Sequence, residues 1–327
     1  MPMPTVRRSN AFYCLLPLLC ACGSSGPVDG AAAFRHVEKL VAIGPRPFGS
    51  EALGKAADYL SAEIGKLGLT MQRHEVMDDT EKKLIRNLWT QIDGPDPNGP
   101  ILMLGAHYDT KLTHGHGEAA HNFEFVGAID GGGAPAVLVE LARVIKERKP
   151  KVNVWLYWID AEESIEFDWK PERALIGSKA FCKHLNDTKV LPRVKAFVLL
   201  DLIGDKNIKI DRDLKSDKEL QDLFAAASKR MGEDKRVYQM TSGTTDDHET
   251  FLNYGVRSVL LIDFIHRVPP HLQKLRPGDQ PVTHPDYEQW WHTPGDTPDK
   301  MSPASLAFAG NLVMEAFDDL EQFVSKR

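Results

Sequence analysis

Ile101-Leu-Met-Leu-Gly-Ala106, followed directly by His107-Tyr-Asp109, is the stretch that decides the fold. A continuous run of apolar and small residues of this length is typical of a strand buried on both faces, as in a parallel sheet. Similar runs occur at residues 152–159, 196–200 and 256–262. The four runs therefore predict the core strands of one buried sheet.

Helical patterns lie between and around these runs. The predicted helices cover residues 31–43, 51–66, 134–147, 177–185, 218–231, 246–254 and 302–324, and alternating segments at 70–76 and 84–92 indicate a β-ribbon. This order predicts an α/β fold: a single domain with a mostly parallel central sheet flanked by helices on both faces. A chain of 327 residues fits one such domain, because α/β domains often reach roughly 250 residues or more.

Two irregular segments, 111–128 and 265–290, are too long for plain connections. Long loops in compact α/β domains are usually functional, so we expect both to border a site. The first contains the His-rich stretch Thr113-His-Gly-His-Gly-Glu118 and His121. The Gly spacing of this stretch indicates a flexible, solvated loop. A second metal site is the alternative interpretation.

The first residues have the composition of an export signal. Arg7 and Arg8 precede the apolar stretch Phe12 to Ala21, which has the size of a signal-peptide core and is too short to span a bilayer. Leu19-Cys20-Ala21-Cys22 resembles a bacterial lipobox, in which Cys22 becomes the lipidated first residue of the mature protein. The alternative is a plain secretory signal that is cleaved nearby.

We therefore expect residues 1–22 to be a signal peptide, residues 23–30 a flexible linker and residues 31–327 the folded domain. Both alternatives predict an exported protein. The expected location is the bacterial periplasm or cell envelope, with a lipid anchor to the membrane through Cys22.

Charge and cysteine content exclude some classes of protein. The net charge is −6, and the sequence contains no basic stripe. Both observations argue against nucleic-acid binding. Three of the four cysteines lie in the predicted leader, so the mature domain keeps Cys182 and cannot form an internal disulfide. Cys182 lies in a helical pattern and is expected to be a buried structural thiol. The chain is expected to be a monomer.

Acidic and imidazole residues follow the predicted strands at their carboxyl ends. They are His107 and Asp109 after the first run, Asp160, Glu162 and Glu163 after the second, Asp201 after the third, Asp130 before a Gly-rich turn, and His292 in Trp290-Trp291-His292-Thr293. In an open α/β sheet the carboxyl ends of the strands form the ligand crevice. These side chains are therefore predicted to converge.

A crevice that gathers carboxylates and imidazoles needs a cation, because the buried charges would otherwise repel one another and lose their solvation. Asp, Glu and His are residues that suit zinc. Any single one of them is more often a helix cap or a surface residue. Several at strand ends together favour a metal centre.

Four motifs resemble the zinc aminopeptidase superfamily across residues 31–327. They are Ala106-His-Tyr-Asp-Thr110, Gly127-Ala-Ile-Asp130, Asp160-Ala-Glu-Glu163 and the late His292. After the position of Asp130, ordinary aminopeptidases typically carry an Asn and a Ser before Gly. This chain has Gly131-Gly-Gly133 there, which departs from their pattern.

A second set of motifs resembles animal-type glutaminyl cyclases, which convert an N-terminal glutamine into pyroglutamate and release ammonia. The set comprises Phe125-Val-Gly-Ala-Ile-Asp130, Trp169-Lys-Pro-Glu-Arg-Ala-Leu-Ile-Gly-Ser178, Leu199-Leu-Asp-Leu-Ile-Gly204, Asp246-Asp-His248 and Trp291-His-Thr293. The resemblance implies a glutaminyl-peptide cyclotransferase whose substrates are peptides or proteins with an N-terminal Gln.

The resemblance also implies the roles of individual residues. One zinc ion per chain would be held by Asp130, Glu163 and His292, with one position left for water or substrate. Glu162 would take a proton from the substrate's α-amine and return it to the departing amide nitrogen. Asp201 would hydrogen-bond that nitrogen and help to place Glu162.

Further residues of the site are implied in the same way. The expected apolar walls of the substrate pocket are Trp169, Ile203 and Trp291. Asp246 would support Asp201, and His107 is retained beside these groups. The chain departs from the animal pattern at Leu260, where the family carries a histidine, so the hydrogen-bond relay behind Asp201 is expected to differ.

Two alternatives stay open. A two-zinc aminopeptidase would add His107 and Asp201 to the same ligands, so the inventory of ligands cannot separate it from a cyclase. The sequence around Asp201 and Trp169 favours the cyclase. A catalytically inactive binding module on the cell surface is the other alternative, and retention of both Glu162 and Glu163 argues against it.

Overall fold

The computed structural model describes residue 1 and residues 26–273, 280, 281, 283 and 287–326. Residues 2–22 of the predicted signal peptide, including Cys22, residues 23–25 of the predicted linker and part of the segment 265–290 lie outside the described residues. Within the described ranges, no helix combines the length and the apolar character that a membrane span requires.

The described residues form eight strands, six of which make the central sheet. The strands are β1 Met71–Met77, β2 Leu84–Ile92, β3 Ile101–His107, β4 Asn153–Ile159, β5 Val194–Asp201, β6 Ile210–Asp213, β7 Val237–Ser242 and β8 Arg257–Ile262. The order in the central sheet is β1-β2-β4-β3-β5-β8. Strand β3 pairs in parallel with β4 and β5, and β5 pairs in parallel with β8, whereas β2 is antiparallel to β1 and β4.

Helices cover the sheet in two groups. The helices are α1 Gly30–Ile43, α2 Glu51–Lys66, α3 Gly133–Arg148, α4 Ile176–Asp187, α5 Lys218–Arg230, α6 Asp247–Asn253 and α7 Pro303–Ser325. Helices α1, α3, α5 and α7 pack together over β3 and β5, whereas α4 and α6 pack on each other and on β2, β5 and β8. Polar caps begin several of them; the Ser50 hydroxyl, for example, accepts a hydrogen bond from the Leu53 amide at 3.1 Å.

The predicted α/β fold, with its mostly parallel central sheet, is confirmed. Every residue of β3 and β4 is buried, as expected for strands that carry apolar residues on both faces. Because β3, β4, β5 and β8 run in parallel, their carboxyl ends meet at one edge of the sheet. Cys182 is buried in α4, as the helical pattern predicted.

A second, two-stranded parallel sheet of β6 and β7 was not predicted. Strand β6 is short and has the sequence Ile-Asp-Arg-Asp, in which both acidic residues, Asp211 and Asp213, are buried. Strand β7 is mostly exposed and rich in polar residues. Neither segment has the apolar period that identifies a strand. The buried carboxylates of β6 accept hydrogen bonds from the loops after β7 and β8, through the Thr244 and Phe264 amides.

Candidate active site

Three residues from distant parts of the chain meet at the carboxyl edge of the sheet. His292 Nε2 lies 3.2 Å from Glu163 Oε1 and 3.4 Å from Asp130 Oδ2, and all three side chains are buried. One potential ligand atom from each lies within 4.8 Å of the others. Asp130 Oδ2 accepts no hydrogen bond from the described residues. The arrangement offers two carboxylates and one imidazole to a metal ion.

Asp130 stands at a tight turn that requires glycine. The next residue, Gly131, has a φ of 82°, and a Cβ atom there would lie 2.0 Å from the Asp109 carbonyl oxygen. Gly127, at the start of the turn, has a φ of 54°. The glycines that distinguish this chain from ordinary aminopeptidases thus let the backbone approach β3 closely.

Two buried charged residues hold this turn, and the sequence analysis identified neither. The Asp296 carboxylate accepts hydrogen bonds from the Ile129 amide at 2.8 Å and the Asp130 amide at 3.0 Å. On the other side, the Arg46 guanidinium donates to the carbonyls of Gly127 at 3.0 Å and Gly131 at 3.1 Å. Burial raises the pKa of Asp296 to about 8, with the nearby Asp130 charge contributing, and burial lowers the pKa of Arg46 to about 10.

Glu162 and Glu163 follow β4 at a left-handed residue, Ala161, whose φ is 52°. The Asp109 carboxylate accepts hydrogen bonds from the Glu162 and Glu163 amides, each at 3.2 Å, and so fixes both residues against the end of β3. Lys111 is fully buried, donates to the Ser164 carbonyl at 2.8 Å, and places its Nζ 3.5 Å from Glu163 Oε2.

Glu162 is a buried carboxyl directly beside the candidate metal ligand Glu163. Burial raises the pKa of its carboxyl well above the ordinary range, His107 opposes this shift, and the charges of Glu163 and Asp246 add to it. A carboxyl that is buried beside other charged groups in this way is a candidate general acid/base. Its position beside Glu163 puts that capacity next to the candidate metal ligands.

Asp201 ends β5 and pairs with His107. Their Oδ1 and Nε2 atoms are 3.0 Å apart, and the same oxygen accepts the Leu202 amide at 2.7 Å. His107 Nε2 also lies 3.3 Å from Asp130 Oδ1, so His107, Asp130 and Asp201 form a second potential metal cluster. Burial alone would lower the pKa of His107, but the surrounding carboxylates outweigh it and hold that pKa well above its ordinary value.

Asp246 is buried at the start of α6, where its Oδ1 accepts the Asp247 amide at 2.6 Å. Burial raises the pKa of its carboxyl well above the ordinary range, and the Asp201 charge adds to the shift. Its Oδ2 has no hydrogen-bond partner among the described residues, so it does not bond to Asp201. Leu260 is fully buried in β8, which leaves an apolar side chain at the position where the animal relay has histidine.

A cavity of about 450 Å³ opens over these groups. The predicted residues that line it are Asp130, Glu162, Glu163, Trp169, Asp201, Asp246, Trp291 and His292. The Trp291 ring stacks on His292 at a centroid distance of 3.7 Å. Sequence analysis did not identify Thr241 and Ser242 at the end of β7, Thr244 after it, or Phe264 after β8. Ile265, Val268 and Leu272 also line the cavity, and they belong to the segment 265–290 that was expected to border a site.

The prediction that Ile203 lines the pocket is wrong. Ile203 is fully buried in the hydrophobic core and is absent from the cavity wall, which Leu202 lines instead. Leu202 has a φ of 50°, so the chain turns sharply after β5. This turn brings the Ile203 backbone against Gly133 of α3, where a Cβ atom would lie 1.8 Å from the Ile203 carbonyl oxygen.

The sequence profile of Peptidase family M28 matches residues 87–317. Among curated proteins, a glutaminyl-peptide cyclotransferase from Drosophila melanogaster is 25% identical over 265 residues, covering 77% of this chain and 70% of that protein. Aminopeptidase YwaD from Bacillus subtilis (strain 168) is 28% identical over 219 residues, covering 66% of this chain and 40% of that protein.

Solved structures extend the likeness over almost all of the described chain. The crystal structure of an Acidobacteriales bacterium glutaminyl cyclase superimposes with a TM-score of 0.77 at 28% identity, covering 92% of this chain and 98% of that chain.

Proposed function

The chain belongs to Peptidase family M28, and on that premise we propose that it is a zinc-dependent glutaminyl-peptide cyclotransferase. It would convert the N-terminal glutamine of a peptide or protein into pyroglutamate and release ammonia. The observation that carries the proposal is the buried Glu162 carboxyl, which lies directly beside a candidate metal-ligand cluster in a cavity that two tryptophans also line. The likeness to the Drosophila and Acidobacteriales cyclases supports the same activity.

The residues present fit a zinc ion. Asp130, Glu163 and His292 supply the carboxylate and imidazole atoms that zinc binds, and the free Asp130 Oδ2 is buried without a hydrogen bond from the described residues. A zinc ion bound there supplies Lewis-acid polarisation of the substrate's γ-carboxamide. Lys111 near Glu163 and the amides that Asp296 binds beside Asp130 hold these ligands in place.

Ring closure joins two parts of one glutamine residue. The α-amine nitrogen forms a bond to the γ-carboxamide carbon, the bond from that carbon to the amide nitrogen breaks, and ammonia leaves. Glu162 takes the proton that the α-amine loses and gives it to the departing nitrogen, so the proton count balances. Since both reacting groups belong to one residue, the protein's main task is positioning.

In this proposal Asp201 receives the departing amide nitrogen. Its Oδ1 is held by His107 at 3.0 Å and by the Leu202 amide at 2.7 Å, so its orientation is fixed before substrate binds. Trp169 and Trp291 provide flat apolar surfaces for the methylene groups of the glutamine side chain. Asp246 also lines the cavity, and the charge of Asp201 helps to raise the pKa of its carboxyl.

A two-zinc aminopeptidase is the second candidate function. The observation that favours it is the second cluster, His107, Asp130 and Asp201, which shares Asp130 with the first. The likeness to Aminopeptidase YwaD is compatible with this reading.

Product analysis separates the two functions. We expect ammonia and a pyroglutamyl product from a glutaminyl dipeptide, and loss of both after treatment with a chelator. Hydrolysis of an aminoacyl-anilide without any cyclisation of the glutaminyl substrate would reject the cyclase proposal. Zinc content, measured on the same preparation, gives an independent test of one ion against two.

We also propose that the chain is exported and anchored to the bacterial cell envelope through a lipid on Cys22. The support is the basic and apolar leader before Cys22 and the Gly/Ser tether after it. Mass spectrometry of the mature N-terminus tests this directly. A Cys22→Ser variant should leave the membrane fraction, and an unmodified mature N-terminus in the parent protein would refute the anchor.

A further inference from the structure

A second cavity, of about 360 Å³, lies apart from the active-site cavity. Lys206, Lys209 and Arg236 line it, together with Ser302 and Ser305 at the start of α7, and we call it the basic cavity. It shares no lining residue with the active-site cavity, and none of the described residues that line it is acidic. The basic cavity is therefore a positively charged site that the proposed catalytic mechanism does not use.

The three basic side chains are only partly neutralised within the described part of the chain. Lys206 and Lys209 form no ion pair with a described residue, and the Lys209 ammonium donates one long hydrogen bond, at 3.4 Å, to a backbone carbonyl. The Arg236 guanidinium lies over the Phe308 ring, 3.8 Å from its centroid, and its ion-pair partner Glu233 is 3.5 Å away. An excess of positive charge thus remains in the basic cavity for an anion.

The first described residues of the folded chain run along α7 toward this cavity. The Val28 amide donates to Asn311 Oδ1 at 3.0 Å, in the middle of the helix. Gly30 packs against the start of the helix, where a Cβ atom would lie 1.9 Å from the Pro303 carbonyl oxygen. Asn311 follows Ser302 by nine residues, which corresponds to about 13 Å of helix. The N-terminal segment and the basic cavity therefore lie on the same side of the molecule.

The proposed lipid anchor lies within reach of the same side. Cys22 precedes Gly26 by four residues, and four residues of chain span about 14 Å at most. A Cβ atom on Gly26 would lie 2.4 Å from the Asn311 side chain, so the tether leads away from the middle of α7. A lipid on Cys22 and the basic cavity can therefore contact one bilayer surface at the same time.

Acidic side chains farther along α7 are paired with arginines. Arg230 lies 2.6 Å from Glu315 and 2.9 Å from Asp319, and Arg148 lies 2.6 Å from Asp318. Because the net charge of the chain is −6, attraction to an anionic membrane requires a local excess of positive charge. The basic cavity supplies such an excess at the start of the helix.

We propose that the basic cavity binds the phosphate group of an anionic membrane phospholipid and so orients the anchored enzyme on the bilayer. The inference rests on the proposed lipid anchor, which holds the cavity close to the membrane and makes a weak site sufficient. The planar guanidinium of Arg236 suits phosphate because it can donate two parallel hydrogen bonds, and the two ammonium groups add charge. Since the two cavities share no lining residue, a bound phospholipid does not occupy the peptide site.

Vesicle binding tests the site in the absence of the anchor. Every helix and strand of the described residues lies between Gly30 and Ser325, so a chain that starts at Gly23 keeps them all and lacks Cys22. We expect this chain to cosediment with vesicles that contain phosphatidylglycerol and to bind pure phosphatidylcholine vesicles at least about tenfold more weakly. The reason is that each basic residue close to an anionic surface contributes about fivefold in affinity.

A pair of double variants locates the effect. Lys206→Gln/Lys209→Gln should weaken binding to phosphatidylglycerol vesicles by about 20-fold, with thermal unfolding as a check on folding. The matched control, Lys55→Gln/Lys183→Gln, removes the same charge from exposed positions on α2 and α4 and should change binding by about twofold at most, because salt screens distant charges. Equal weakening by the two double variants would show that binding follows net charge alone and would overturn the site.

Inorganic phosphate distinguishes the two sources of the anion. Saturable binding of inorganic phosphate, measured by calorimetry, without any binding of vesicles would assign the cavity to a free phosphate and overturn the phospholipid proposal. Binding of neither would overturn the site as a whole and leave the anchor standing, since the anchor is judged from the mass of the mature N-terminus. A Cys22 that carries no lipid refutes the anchor, whatever the vesicles show.

Discussion

Asp130 belongs to two clusters that contain the same kinds of side chain but differ in their hydrogen bonding. In the first cluster, His292 Nε2 contacts Glu163 Oε1 at 3.2 Å, and Asp130 Oδ2 has no hydrogen-bond partner among the described residues. In the second, with His107 and Asp201, the Asp201 Oδ1 atom already accepts both His107 and the Leu202 amide. Among the described residues, the first cluster keeps one carboxylate oxygen without a hydrogen bond, whereas the second uses Asp201 Oδ1 for two.

The difference teaches that residue type alone does not define a metal site. A carboxylate oxygen that holds a backbone amide must give up that hydrogen bond or share it before it binds a metal ion. His107 is also drawn toward Asp109, whose Oδ1 lies 3.5 Å from its Nδ1. We therefore expect one zinc ion, in the first cluster, and a hydrogen-bonding role for the second.

The strongest test of this comparison removes the histidine from each cluster. We expect His292→Ala to lose its zinc and all measurable cyclase activity, because only two ligands remain. His107→Ala should keep about one zinc per chain and lose activity only in part, since the histidine orients Asp201 and does not hold the ion. Elemental analysis after dialysis, with thermal unfolding as a check on folding, gives the measurement. Two zinc ions in the parent protein and one in each variant would contradict the comparison and favour an aminopeptidase.

A smaller effect, confined to turnover, is expected at Glu162, which adjoins both clusters. Glu162→Gln should lower kcat by roughly 10²- to 10⁴-fold while zinc content stays at the parental level, because an amide fills the space but cannot carry the proton. The control is Glu172→Gln, on an exposed residue of the same segment, which should behave like the parent. Loss of zinc in Glu162→Gln would show that the two adjacent glutamates do not divide the roles as proposed.

Much of this arrangement could be predicted because strand ends are visible in the sequence. The apolar runs that end at His107, Ile159 and Asp201 locate the crevice, and parallel pairing guarantees that their ends meet. The structure brings Asp130, Glu163 and His292 together as predicted, although their metal-binding role stays a prediction.

The rest could not be predicted, for a physical reason. Ile203 was predicted to line the pocket, but the left-handed turn at Leu202 redirects the chain before it. A turn at a single residue produces no repeating pattern that could be recognised in the sequence. Arg46 and Asp296 resemble ordinary surface charges in the sequence, yet both are buried and bonded to backbone groups. Asp296 does follow His292 closely, in His292-Thr-Pro-Gly-Asp296, and that short spacing was the one available signal for its role.

The smallest expected effect concerns Asp296, which orients Asp130, the residue common to both clusters. Its carboxylate accepts two backbone amides, at 2.8 and 3.0 Å, whereas an asparagine side chain has one oxygen and would turn an N–H₂ group toward the second amide. Asp296→Asn should therefore weaken zinc affinity by about 10- to 100-fold, the usual consequence of losing a partner that orients a ligand.

Reconstitution of the zinc-free protein in a competing chelator measures that affinity without reference to catalysis. Asp299→Asn is the matched control, since this residue lies on the same loop with its side chain 70% exposed and touches neither cluster. If Asp296→Asn binds zinc as tightly as Asp299→Asn, the turn around Asp130 is held by Arg46 and the glycines alone. Weaker zinc binding by Asp296→Asn, with unchanged thermal stability, would show that the backbone next to Asp130 contributes to holding the metal.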